Sequence, residues 1–146
     1  MTGSYYRRAD GSAGAVYEST DLTRSNWGQI QHGSPPLALL TREIEQLLDG
    51  SGQRIARLSL DILGAIPVAP VRVAARVQRP GRRIALLEAE MFTCDDDRPV
   101  ARLSAWALAT SDTTAVSSDR HAPLISGPSL PPPEWFARAS GYAHSV

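Results

Sequence analysis

Gln31-His32-Gly33-Ser34-Pro35-Pro36, running straight into Leu37–Leu48, is the stretch that decides the fold of this chain. Leu37, Leu40, Ile44, Leu47 and Leu48 recur at helical spacing while Arg42, Glu43, Glu45 and Gln46 take the other side, so the run predicts one amphipathic helix. Ser34 is placed as its N-cap and Pro35 as its first helical residue, where a missing N–H costs nothing. Gly33 removes a side chain just ahead of the first turn. That opens the backbone N–H groups and the positive end of the helix dipole to a carbonyl oxygen or an anion. Ordinary helix punctuation would look the same, and the spacing alone does not separate the two readings. Asp49-Gly50-Ser51-Gly52 closes the helix with glycines suited to a left-handed cap.

Outward from the helix, four strand patterns follow in quick succession. Residues 55–66 place Leu58, Leu60 and Ile62 on one face and Arg57, Ser59 and Asp61 on the other. After a turn at Pro67 and Pro70, Val71, Val73, Ala75 and Val77 alternate with Arg72, Arg76 and Gln78. Arg79-Pro80-Gly81-Arg82 reads as a hairpin turn. Residues 84–93 then set Leu87, Ala89 and Met91 opposite Glu88 and Glu90, and an aspartate-rich turn spans 94–98. The last strand, 99–109, packs Ala101, Leu103, Ala105 and Ala107 on one side, and its alanines leave room for something bulky. Ahead of the helix, Ala15-Val16-Tyr17 reads as a short first strand after a frayed polar start, and Trp27 as a plug anchoring its loop onto the core.

A length of 146 residues suits one compact domain with a real core. Fifteen basic residues balance fifteen acidic ones, which argues against a nucleic-acid partner. No apolar run reaches a membrane span and Met1 to Asp10 lacks a signal-peptide core, so no membrane association and a cytoplasmic location are expected. The lone Cys94 forms no internal disulfide, and His32, His121 and His144 are not spaced as ligands; neither a metal nor a cofactor is expected. After Ser111 the composition turns to Ser, Thr, Asp and Pro, through Pro131-Pro132-Pro133, before Glu134-Trp135-Phe136 and Tyr142 restore aromatic weight. Either something follows these aromatics or they dock back.

A long helix followed by four meandering antiparallel strands, with a short strand before it, is the order of the α+β hotdog fold, a curved antiparallel sheet wrapped around one helix. Ser4-Tyr5-Tyr6-Arg7, Trp27 with His32-Gly33-Ser34-Pro35-Pro36, Leu39-Leu40, the run Arg57 to Leu63, Arg79-Pro80-Gly81-Arg82 and Ala105-Trp106 carry a family resemblance in their order and spacing. Together they resemble the N-terminal hotdog domain of actinobacterial thioesterase-superfamily proteins, similar to the acyl-CoA thioesterase II type with two hotdogs in one chain. The resemblance implies a hotdog domain over 1–114, then over 115–146 a Pro/Ser-rich linker and the start of a second hotdog. In the type II proteins the best-characterised catalytic aspartate lies in that second domain.

A thioesterase needs a spot for the carbonyl oxygen and a carboxylate that attacks or activates water. The helix start would supply the first, through Gly33 or Ser34 with His32 beside it, unless His32 merely caps or packs there. In related single-hotdog enzymes the carboxylate sits about two turns after the His-Gly pair; here that position is Thr41, flanked by Arg42 and Glu43. Glu43 is therefore one candidate, with a solvated helix residue as the alternative. Asp61 is another, lying in a strand with apolar neighbours; pairing with Arg57, Arg72 or Arg76 on the outer face competes with that role. Arg79, Arg82 and Arg83 would grip coenzyme phosphates, or serve solubility at a hairpin tip.

The resulting expectation is a hydrolase acting on thioesters of coenzyme A or acyl carrier protein, working as a homo-oligomer or paired with a second hotdog, because a lone hotdog leaves an edge strand open. Two alternatives stand beside it: a non-catalytic acyl-binding half-domain, and an acyl-thioester dehydratase or hydratase with His32 as base.

Overall fold

The helix forms because its apolar residues can all be buried on one sheet. The structure, a computed structural model, describes residues 3–9, 15–118, 127–128, 131, 134 and 141–142. Helix α1 spans Ser34–Leu47 and packs on strands β4 (Val71–Arg79), β5 (Ile84–Thr93) and β6 (Pro99–Ala109). With β1 (Tyr6–Arg8), β2 (Ala15–Ser19) and β3 (Gln53–Ile62), these make one six-stranded sheet in the order β1-β2-β4-β5-β6-β3. Every neighbouring pair is antiparallel. This is the hotdog architecture.

Period-two patterning sets the helix-side face. Val71 and Val73 of β4, Ala85, Leu87, Ala89 and Met91 of β5, and Ala101, Leu103, Ala105 and Ala107 of β6 are buried beneath Leu39, Leu40 and Ile44. The short alanine side chains on β5 and β6 let the helix axis approach the sheet. On the outer face charges alternate: Arg76 pairs with Glu88 and Glu90, and Arg102 holds Glu90 at 2.8 Å.

Four expectations need correction. Residues Tyr6–Arg8, expected within a frayed start, form a strand: β1 pairs with β2, Tyr6 opposite Ser19 and Arg8 opposite Tyr17, and extends the sheet. Trp27 is no plug; it sits at the tip of a loop, 86% exposed, because the loop closes on its own backbone through the bridge between Arg24 and Gln31. The buried stripe of α1 is rotated from the one expected: Leu39 and Glu43 are inside, while Leu47 is 42% exposed. The helix also begins at Ser34, with Gly33 rather than Ser34 in the cap position. Trp135, Phe136, His121 and His144 lie outside the described residues.

Beyond β6, β3 is left at the sheet edge. Its helix-side residues Leu58 and Ile62 remain 37% and 58% exposed, and Leu63 after them 49%. A ten-residue edge strand with an apolar inner face is an open template for pairing.

Candidate functional site

The loop ahead of α1 is fixed by side-chain and backbone hydrogen bonds to both of its flanks. The Ser25 N–H donates to Ile30 O at 2.7 Å, the Gln31 N–H to Ile66 O at 2.8 Å and the His32 N–H to Thr23 O at 2.8 Å. The buried Gln31 side chain donates to Pro67 O at 2.7 Å and accepts from the Tyr6 hydroxyl. These contacts bring His32 to the first turn of the helix in one orientation.

His32 then does what a serine hydroxyl does at most helix starts. Its Nδ1 accepts the Ser34 N–H at 3.2 Å, and the Gly33 cap has no side chain to offer. The proton of the neutral imidazole is thereby placed on Nε2. Pro35 and Pro36 carry no N–H, and the Leu37 N–H closes the first helical bond on Gly33 O at 3.2 Å. Of the donors a helix start normally leaves open, one survives: among the described residues the Gly33 N–H donates to nothing. A Cβ added at Gly33 would meet Ile62 Cδ1 at 3.5 Å, so the missing side chain leaves a slot bounded by β3. One backbone donor beside an imidazole N–H suits a single carbonyl oxygen; phosphate sites use several N–H groups.

Tyr142, near the end of the chain, lies flat on His32 with ring centroids 4.5 Å apart and planes 13° apart. Its N–H donates to Arg24 O at 2.9 Å, and its ring also meets Tyr5 at 5.8 Å. Gly141 before it adopts φ +64°, a conformation that side chains avoid. This aromatic does dock back, and it covers one face of the imidazole.

The structure gathers His32, Gly33 and Ser34 at the helix start, yet it does not bring the carboxylates to them. Thr41 turns its hydroxyl back onto Leu37 O at 2.7 Å. Glu43 is buried and committed: it accepts from the Tyr17 hydroxyl at 2.5 Å and from Arg42 Nη1 at 3.1 Å. Burial raises the Tyr17 phenol above its ordinary pKa, and the hydrogen bond to Glu43 adds to the rise. Asp61 is exposed, and it sits opposite Arg102 on the outer face, since its neighbour Ile62 is the residue that points at Gly33. Arg79, Arg82 and Arg83 are exposed at the β4–β5 turn, held beside the start of β3 by the Gln53 amide on Gly81 O and Arg82 O at 2.8 and 3.2 Å. That end lies one helix length, about 20 Å, from Gly33.

Sequence reasoning missed Tyr17 as the partner of Glu43, Gln31 as the brace of His32, and Tyr142 as its cover. Only the out-of-place aromatic at 142 gave a signal. Among the described residues no group of His, Cys, Asp or Glu is arranged to hold a metal.

Residues 23–108 match the model of the acyl-CoA thioesterase N-terminal domain. No curated protein is a significant match in sequence. Among solved structures, the E. coli PaaI protein from the phenylacetic acid degradation operon superposes with a TM-score of 0.58 at 16% identity, over 66% of this chain and 72% of that one. A Streptococcus mutans protein bound to acetyl-CoA gives 0.61 at 13% identity, over 75% and 92%. A hypothetical thioesterase from Streptococcus pneumoniae with coenzyme A gives 0.59 at 14%, over 72% and 88%. At these identities the likeness is one of fold.

Proposed function

The chain belongs to the acyl-CoA thioesterase N-terminal domain family, and on that premise we propose that it binds an acyl thioester at the start of α1 and hydrolyses it only as one half of a paired hotdog site. The observation that carries this reading is the contrast at the helix start. One backbone N–H is left for a carbonyl oxygen, while Thr41 stands where a carboxylate would be needed and Glu43 is locked into Tyr17 and Arg42.

In this reading Gly33 N–H polarises the thioester carbonyl, with His32 Nε2–H and the Ser34 hydroxyl beside it, and a second hotdog supplies the carboxylate that activates water. Glu43 acts through structure, and Asp61 serves a site only across an interface formed by β3. The uncovered Leu58, Ile62 and Leu63 of that edge support such pairing, with a second copy or with a second domain as in the actinobacterial type II double-hotdog proteins. Residues 1–114 would then be the first hotdog and 115–146 the linker and start of the next. Arg79, Arg82 and Arg83 form no ion pair among the described residues and are free to take the phosphates of coenzyme A, or of a carrier-protein arm, lying along the helix. We place the protein in the cytoplasm; among the described residues no helix is long and apolar enough to cross a membrane.

A dehydratase or hydratase would use His32 as a base. An imidazole that accepts at Nδ1 and carries its proton on Nε2 has no nitrogen lone pair left to take a proton, which disfavours proton abstraction.

The test is a panel of acyl-CoAs of increasing chain length, with free thiol followed and binding measured by calorimetry on the same preparation. Saturable binding is the expected result for this chain, with thiol release above the blank only where chains are paired. Turnover by the chain as a monomer would overturn the half-site assignment, and absence of binding across the panel would overturn the thioester assignment itself.

A further inference from the structure

On the other side of α1 from β3, the β1–β2 hairpin and the first turns of the helix enclose a cleft of about 320 Å³. The thioester reading makes no use of it. Its walls include Tyr5, Tyr6, Tyr17 and Leu39, and Arg8 and Arg42 stand at its mouth. Two features define what such a space would accept.

The first is that the phenol groups of Tyr6 and Tyr17 are already spent. The Tyr6 hydroxyl donates to Gln31 and the Tyr17 hydroxyl to Glu43, and burial raises both pKa values, so these side chains stay neutral and offer the cleft ring carbon. The second is the charge balance. Glu43, behind Tyr17, is matched by Arg42 at 3.1 Å, whereas Arg8 forms no ion pair among the described residues. Arg8 shares a face of β1 with Tyr6 and stands directly opposite Tyr17 in the ladder. Its neighbour Arg7 points the other way and faces Glu18 across the strands. The cleft is thus an apolar, ring-lined space, its Tyr6 and Tyr17 rings edge to face at 76°, with one guanidinium at its rim that no described carboxylate compensates.

We propose that this cleft binds a small organic monoanion with a flat apolar body, a ring-bearing monocarboxylate. The body stacks against the tyrosine rings in an offset or edge-on arrangement, and the Arg8 fork takes both carboxylate oxygens. The volume lies at the lower end of the range for ligand pockets, about 300–1,000 Å³, which limits the guest to a small molecule. A carboxylic acid is also what hydrolysis of an acyl thioester releases, but the binding stands independently of that reaction and is tested without any thioester.

Benzoate and its neutral isostere benzamide are titrated separately into the full chain by calorimetry or ligand-observed NMR. Benzoate is expected to bind roughly tenfold or more tightly than benzamide, the margin of a charge-assisted over a neutral hydrogen bond. Arg8→Gln, an exposed change, is expected to erase that margin, and Arg7→Gln, on the opposite face, to preserve it. Equal affinity for the two ligands, no binding of benzoate, or a margin that survives Arg8→Gln would each overturn the proposal.

Discussion

Removing one oxygen atom from Tyr17 tests the buried carboxylate of α1. Tyr17 is 2% exposed and Glu43 9%, and the phenol donates to the carboxylate at 2.5 Å. In Tyr17→Phe the ring stays, so no cavity opens; what changes is that a buried acceptor loses its shortest donor. Arg42 Nη1 remains at 3.1 Å, and Gln46 Nε2, at 3.5 Å, is at the limit of a hydrogen bond. A hydrogen bond to a charged group contributes about 1.5–3 kcal/mol, and its loss with the acceptor left in place falls in the same range. For a domain of this size that is a fall in Tm of roughly 3–12 °C. Urea unfolding and a thermal melt at neutral pH read it directly. The double substitution Tyr17→Phe with Glu43→Met takes away both polar partners and is expected to recover most of the loss, because apolar groups of similar shape then replace a desolvated pair. The reasoning is refuted if Tyr17→Phe alone matches the parent within about 0.3 kcal/mol, which is the behaviour of an unremarkable surface change.

Three further outcomes are expected. His32→Ala removes the acceptor for the Ser34 N–H and should destabilise by about 0.5–2 kcal/mol in urea, the cost of losing an N-cap, with an unchanged midpoint arguing against the capping role. Light scattering should report more than one chain per particle at micromolar concentration, and Ile62→Arg on the exposed edge should return single chains; a parent that is already monomeric contradicts pairing through β3. The Glu90 carboxyl is held below its ordinary value of 4.5, chiefly by its hydrogen bond from Arg102, against an opposing effect of burial. A carboxyl depressed on folding adds stability above that ordinary value and loses it as pH falls through the folded pKa. The deficit of Arg102→Ala relative to the parent should therefore be present at pH 7 and vanish in acid, and a deficit that persists in acid would show that lost packing of the arginine stem is responsible.

The parts of this fold written in short periods were legible from the sequence. The alternation in β4, β5 and β6 shows because each has one face against α1 and the other in water, whereas the glycines at 50 and 52, both at φ 69°, turn the chain between the helix and β3, and Leu48, not a glycine, is the helix C-cap. β1 was not legible: three residues carry no period, and Tyr6-Arg7-Arg8 becomes a strand only because β2 is there to pair with it. Glu43 looked like a solvated helix residue because its partner, Tyr17, is distant in sequence, and no local pattern records that contact. The helix start was legible, but its cap was placed at Ser34 rather than Gly33. A serine before a proline is the usual cap, and the position of the His32 ring decides between the two roles open to it from sequence by showing Nδ1 accepting the Ser34 N–H. The same contact, with the two prolines, reduces an apparently open set of donors to Gly33 alone.

That reduction is the centre of the functional account, and the Gly33 amide can be watched directly. A non-hydrolysable acyl-CoA analogue, its thioester sulfur replaced by methylene so that the carbonyl is kept, is titrated into ¹⁵N-labelled protein and followed by amide NMR. A carbonyl oxygen bound at the helix start is expected to move the Gly33 resonance more than any other amide, with the His32 ring responding and the amides of Thr41 and Asp61 moving little. Saturation of the ligand effect with Gly33 unmoved, or with the largest shifts on the outer face around Asp61, would contradict it.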